Sequence, residues 1–292
     1  MRALNIGVIA PASQFSDERL EESIHEVRSW GHRLLRAPQL MAQQLSFAGS
    51  REDRFQDLEW ALDHREVDLI WCARGGYGCA ELLPLLASKQ RAIDKPLLGF
   101  SDITALGVYS AYRPGAPVYH APVLHSLIHG SDDRSRKHLR RFLAEEKLPT
   151  LNVTPWRAPP HPPIHAPLAG GNLCVLTTLM GTPHQPRFAG KILMLEDIAE
   201  PAYKIHRMLT QLLQGGLLEE VHAIILGPFT RCPSPTPHTI DDFILDALSS
   251  ISCPLYRAPR FGHGLENDIW GIELPYILTE SSLAPELPKL ST

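Results

Sequence analysis

The chain has 292 residues, of which 44% are hydrophobic, 21% charged and 7% aromatic, a balance that excludes disordered, collagen-like and disulfide-framework proteins. Lys and Arg total 28 against 32 Asp and Glu, a formal charge of −4. With no long basic run, this argues against a nucleic-acid partner, and no stretch approaches the ~20 apolar residues that cross a membrane. Five cysteines (Cys72, Cys79, Cys174, Cys232 and Cys253) include no C-x-x-C pair. Neither a disulfide framework nor a zinc site is expected, and a reducing cytoplasm is the expected compartment.

In chain order, the Ile/Val run Leu4–Ala10 predicts a first buried strand. A helix follows with Leu20, Ile24 and Val27 on its core face and Gly31 as its stop. A strand over His32–Ala37, a helix marked by Phe55, Leu58 and Leu62, and a strand over Val67–Ala73 come next. Helical Ala80–Leu86 precedes a strand over Pro96–Phe100, and a helix then runs from Ser101 through Leu106, Val108 and Tyr112 to Pro114-Gly115. Such alternation predicts a parallel sheet covered by helices on both faces, with ligands bound at the carboxyl ends of its strands. Between Pro149 and Pro167 seven of nineteen residues are proline, which argues against helix or central strand and reads as a stiff connection over residues 151–167. It divides an N-terminal domain, 1–150, from a C-terminal one, 168–292. The latter is expected to be smaller and mixed, with strands at Lys191–Leu195, Ala223–Leu226, Leu255–Arg257 and Ile269–Ile272 and helices at Ile205–Leu213 and Asp241–Leu248.

Four segments carry residues fit for chemistry. In Gly99-Phe-Ser101-Asp-Ile-Thr, a serine joins a buried strand to a helix. There it is either a nucleophile favoured by the helix N-terminus or simply the helix cap. Arg74-Gly-Gly-Tyr-Gly78 ends another strand, and its glycines allow close backbone approach to a reacting atom or merely a tight turn. It lacks the phosphate-loop and dinucleotide fingerprints, which argues against a nucleotide-dependent enzyme. Glu196-Asp197 closes an apolar strand, and His263 stands between two glycines as a candidate base or a structural histidine. His120, His125 and His129 fall near helical spacing and His161 and His165 lie in the connection, but no acidic or cysteine partner completes a metal site. Gly171 and Asn172 open the second domain, where they can reach a ligand at the junction.

Ser101, Glu196 and His263 supply a nucleophile, an orienting acid and a base in that chain order. With Ile6–Ser13, Ala73–Gly78, Gly99–Thr104, Leu195–Asp197, Gly262–Gly264 and Leu168–Leu173 in order along nearly the whole chain, the sequence resembles the LD-carboxypeptidase family of serine peptidases. The resemblance implies an α/β fold, with an N-terminal Rossmann-like, doubly wound parallel sheet and a smaller C-terminal mixed β domain. Catalysis would lie in the groove between them, with Ser101 on one wall and its partners on the other. It implies Ser101 as nucleophile, His263 as general base then acid, Glu196 as its orienting carboxylate, and the backbone amides of Gly75 and Asp102 as oxyanion hole. Gly76, Tyr77, Gly171 and Asn172 are the expected substrate contacts, and no cofactor or metal is implied. The implied reaction removes the terminal D-alanine from a cytoplasmic murein tetrapeptide in wall recycling, carried out by a homodimer. A peptidyl-nucleotide cleaved by the family's self-immunity branch, or a non-catalytic binding protein of the same fold, are the alternatives.

Overall fold

Five parallel strands at the start of the chain build the first sheet: β1 (Asn5–Ile9), β2 (Arg33–Arg36), β3 (Leu69–Cys72), β4 (Leu97–Gly99) and β5 (Val118–His120). They appear in a computed structural model that describes residues 2–286, so residue 1 and residues 287–292 of the two expected domain ranges lie outside it. The spatial order is β2-β1-β3-β4-β5. In this doubly wound order the connections reverse between β1 and β3, which opens a crevice at their carboxyl ends. Helices α1 (Asp17–Ser29), α2 (Arg51–Asp63), α3 (Leu83–Ser88), α4 (Thr104–Ser110) and α5 (Asp133–Glu145) cover it. Leu20 and Ile24 of α1 and Leu139 and Phe142 of α5 share one core with Ile6 and Val8. The opposite face, with Leu58, Leu83 and Leu106, belongs to a core that runs unbroken into the second sheet.

Local chemistry explains where these helices begin and end. A capping box between Ser50 and Asp53 starts α2, and Gly31, at φ +94°, follows α1 as expected. The helix expected over Ala80–Leu86 is split into a 3₁₀ turn, Cys79–Leu82, and then α3. Pro84, in the first turn of α3, has no N–H to continue an α-helical ladder from the preceding turn.

The second sheet comprises β6 (Leu151–Asn152), β7 (Thr154–Arg157), β8 (Ile164–Asn172), β9 (Ile192–Ile198), β10 (Ala223–Thr230) and β11 (Leu255–Arg257). It is flanked by α6 (Leu173–Thr178), α7 (Ala202–Gln214) and α8 (Ile240–Ala247). After β11 the chain leaves this sheet: β12 (Trp270–Gly271) pairs antiparallel with β5 at the edge of the first sheet. It then returns as β13 (Pro275–Leu278) and β14 (Ser282–Pro285), giving the order β6-β14-β13-β8-β9-β10-β11-β7. β8 to β11 are parallel neighbours and the others pair antiparallel, a mixed sheet of eight strands beside the six of the first.

The proline-rich stretch is not a bare connection, because β6 and β7 lie within 151–167 and β8 begins there. β6 and β7 occupy the two outer edges, where a missing N–H leaves no ladder partner unsatisfied, and Pro167 of β8 sits opposite Pro275. Ile269–Ile272, expected in the second unit, instead supplies the edge strand of the first. Among the described residues no helix is long and apolar enough to cross a membrane.

Candidate active site

Ser101 follows β4 with φ +65°, a left-handed conformation that costs a non-glycine residue on the order of 1–2 kcal/mol. The 3₁₀ turn Ser101–Ile103 has Phe100 at its N-cap position and carries no side-chain cap bond. The helix-cap reading of Ser101 therefore falls, and the serine sits in a strained strand-to-helix turn, the kind of geometry a nucleophile elbow has. Neither Ser101 Oγ nor the N–H groups of Gly75 and Asp102 are engaged with a partner among the described residues. They are left available to a substrate.

Gly75 lies against Ser101. A Cβ there would come within 2.8 Å of Ser101 Cβ and 3.1 Å of its Oγ, so only glycine leaves the serine free. The Gly75 carbonyl accepts the Ser13 N–H at 3.2 Å, and the Tyr77 N–H donates to Ser13 Oγ at 3.1 Å. Ser13, just after β1, thus holds the glycine loop from across the switch point. Gly76 also packs on Ser13, while the Tyr77 ring is 57% exposed and lies 5.5 Å from Phe47.

Glu196 lies in β9 between β8 and β10 and is completely buried. Its Oε2 is 2.6 Å from Nδ1 of His263, a charge-assisted contact that fixes Nδ1–H as the donor and leaves Nε2 to act. Gly262, at φ +102°, lets the histidine loop settle on that carboxylate, because a Cβ would lie 2.7 Å from Glu196 Oε2. The His263 ring rests against Phe100, with centroids 4.8 Å apart, which brings it beside the residue preceding Ser101. Glu196 stands on the second sheet as expected. His263 is carried by a loop that leaves β11 of the second sheet, packs on β9 and β10 through Gly262 and Phe261, and ends in β12 at the edge of the first.

Asn172 takes another role than the expected substrate contact. Its Nδ2 donates to Glu196 Oε1 at 3.3 Å and to Asp197 Oδ1 at 3.0 Å, and its Oδ1 accepts the Val175 N–H. Both amide donors are thus spent on the two carboxylates, and its oxygen caps α6. Gly171 packs against Thr104, whose Oγ1 accepts the Asn172 N–H at 3.1 Å and ties α4 to the end of β8. Burial pushes the Asp197 carboxyl up to about 6 and the neighbouring Glu196 charge adds to this, against hydrogen bonds from the Ile198 and Cys174 N–H groups and Asn172.

Several residues of the site were not singled out from the sequence. The Asp102 side chain is buried, which raises its pKa, and its Oδ2 accepts the Cys79 N–H at 2.7 Å, linking the serine turn to the glycine loop. Arg54 is 1% exposed. It donates to the carbonyls of Pro11 (3.1 Å) and Gly78 (2.7 Å) and pairs with Glu81 at 2.5 Å, joining the loops after β1 and β3. Its spacing was a usable signal, since Arg54 lies four residues before Leu58 on the buried face of α2. The histidines at near-helical spacing diverge: His120 is buried among aromatic rings, whereas His129 pairs with Glu22 at the surface. Among the described residues no group of three or more His, Cys, Asp or Glu side chains is placed to hold a metal ion.

The model of the LD-carboxypeptidase N-terminal domain matches residues 6–121, and that of the LD-carboxypeptidase C-terminal domain matches residues 165–275. The chain is 34% identical to the murein tetrapeptide carboxypeptidase of Pseudomonas aeruginosa, over 91% of this chain and 90% of that one. It is 30% identical to a probable murein peptide carboxypeptidase of Bacillus subtilis, over 90% and 86%. Its fold is similar to that of muramoyltetrapeptide carboxypeptidase from Oxalobacter formigenes, with a TM-score of 0.81 at 23% identity, covering 96% of this chain and 98% of that one. The wild-type microcin C7 self-immunity protein is also similar in fold, with a TM-score of 0.85 at 17% identity and coverage of 98% and 96%.

Proposed function

The chain belongs to the LD-carboxypeptidase family, and from that premise we propose that it is a serine L,D-carboxypeptidase releasing the terminal D-alanine of cytoplasmic murein tetrapeptides. One observation carries the reading: a buried carboxylate, Glu196, holds His263 2.6 Å away, while that histidine packs on the residue preceding a strained serine. In this mechanism His263 Nε2 takes the proton of Ser101 Oγ as the oxygen attacks the scissile carbonyl, and Glu196 stabilises the imidazolium. The N–H groups of Gly75 and Asp102 receive the developing oxyanion. His263 then gives its proton to the departing D-alanine amine. Water hydrolyses the acyl-serine by the same steps in reverse order. Chain identity to murein peptide carboxypeptidases supports the substrate class.

The test is a substrate comparison by mass spectrometry: a murein tetrapeptide, its counterpart ending in L-alanine, and a peptidyl-nucleotide amide. The reading predicts turnover of the first with kcat/KM at least ~10²-fold above the other two, the discrimination a shaped polar site can supply. Preference for the peptidyl-nucleotide would transfer the same triad to the self-immunity reaction. Inertness toward all three would favour a binding protein.

A further inference from the structure

The triad histidine has to face a carboxylate on one sheet and a serine on the other, and the loop that carries it, residues 258–269, crosses from β11 to β12. We propose that Asn267, held by His120, is the positioning residue that sets His263 for its reaction with Ser101, an inference that rests on the serine mechanism above. Asn267 Oδ1 accepts the N–H of Gly262, the peptide immediately before His263, at 3.0 Å. The same oxygen is 3.1 Å from His120 Nε2. Because the oxygen already acts as an acceptor toward Gly262, His120 must be the donor, in its Nε2–H form. The Asn267 N–H donates to Ser135 Oγ at 3.0 Å, and that hydroxyl donates to Asp268 Oδ1 at 3.1 Å. Asn267, His120 and Ser135 are 2%, 1% and 0% exposed.

The bracket therefore reaches the backbone beside His263 from β5 and from the first turn of α5, both parts of the first sheet's layer. His120 is itself immobilised: its ring stacks on Trp270 with centroids 5.1 Å apart and an angle of 17°, and also touches Phe100 and Phe261. Phe100 in turn carries the His263 ring. One imidazole thus sets the loop on one side and the residue before the nucleophile on the other. Without the Asn267 oxygen, or without its His120 partner, Gly262 can shift and His263 loses its angle to Ser101 while Glu196 stays in place.

Three variants test this. His120→Phe keeps a ring between Trp270 and Phe100 but has no donor for Asn267. His120→Gln retains an N–H near the Nε2 position, and Asn267→Leu removes the acceptor. On the murein tetrapeptide, His120→Phe and Asn267→Leu should lower kcat by about 10²-fold, the usual cost of a misplaced reacting group, with KM within about twofold of wild type. His120→Gln should recover kcat to within about tenfold of wild type. A second reading needs no substrate: the proton NMR signal of His263 Nδ1–H, in its short bond to Glu196, should broaden or move in His120→Phe and stay near its wild-type position in His120→Gln. A folded His120→Phe protein with kcat within twofold of wild type would overturn the proposal, as would an Nδ1–H signal unchanged in both His120→Phe and Asn267→Leu. If wild type proves inert on the peptide, the substrate reading fails while the NMR comparison still decides the positioning role.

Discussion

His263 and Glu196 meet at 2.6 Å where the two sheets adjoin: the carboxylate belongs to β9 of the second, and the histidine loop runs from β11 of that sheet to β12, which pairs with β5 of the first. The contact therefore lies at the seam between layers. Since one apolar core runs through that seam, the two halves are held by close packing and not by the triad alone.

The strain at Ser101 separates activity from stability. Ser101→Gly relieves the left-handed backbone at φ +65° and should raise unfolding free energy by about 1 kcal/mol while abolishing turnover. Urea denaturation beside a D-alanine release assay checks both. A loss of stability in Ser101→Gly would mean the turn is not strained.

Gly75→Ala should cut kcat/KM by about 10²–10³-fold, the scale of a lost oxyanion donor. The added methyl would lie 2.8 Å from Ser101 Cβ, so the nucleophile or the Gly75 amide has to move. Steady-state kinetics on correctly folded protein decides this, and activity within threefold of wild type would place the oxyanion elsewhere.

Arg54→Met should destabilise the protein by about 2–4 kcal/mol, because it removes two charged hydrogen bonds, to the carbonyls of Pro11 and Gly78, and the pairing with Glu81. Arg54→Lys should restore only part of the loss, since an ammonium cannot reproduce the planar fork. Turnover should fall with stability, as the glycine loop loses its anchor. Urea titrations and kinetics of both variants measure the effect.

These residues mark where sequence reading stops. The serine turn, the glycine loop and the Gly-His-Gly segment stand out as candidates because each is a local pattern: a turn needs its glycines beside it. β1, β3 and β4 are legible as continuous apolar runs, whereas β5, three residues long, is not among the expected strands and β2 is an edge strand with arginines at both ends. His120 and Asn267 are 147 positions apart, and nothing local marks either as the other's partner. The proline-rich stretch misled in a specific way. Proline disfavours a central ladder but is tolerated at an edge or where its missing N–H meets no acceptor, as Pro155 in β7 and Pro167 opposite Pro275 show, and the completed sheet decides which positions those are. The pairing of β12 with β5 is not legible, because two residues of strand carry no signal of their partner.

Burial holds His120 neutral, lowering its pKa to about 4 although the Glu196 charge and the Asn267 bond oppose this. An imidazole with its pKa depressed in the fold binds fewer protons than in the unfolded chain between about pH 6.5 and pH 4. Its contribution is therefore complete above pH 6.5 and is lost as pH falls toward 4, by about 3 kcal/mol. Asp57 and Asp197, both raised to about 6, act in the opposite sense over part of this range. The difference between wild type and His120→Gln isolates the histidine: wild type should lose stability relative to the variant as pH falls from 7 to 4.5. Parallel pH curves would refute a buried neutral imidazole.

The most direct measurement is D-alanine release from a murein tetrapeptide by wild type and by Ser101→Ala, quantified by mass spectrometry. The account predicts steady release by wild type and a loss on the order of a millionfold in the variant, with unfolding midpoints close together because Ser101 caps no helix. Release by a folded Ser101→Ala protein at a rate near that of wild type would contradict the serine mechanism.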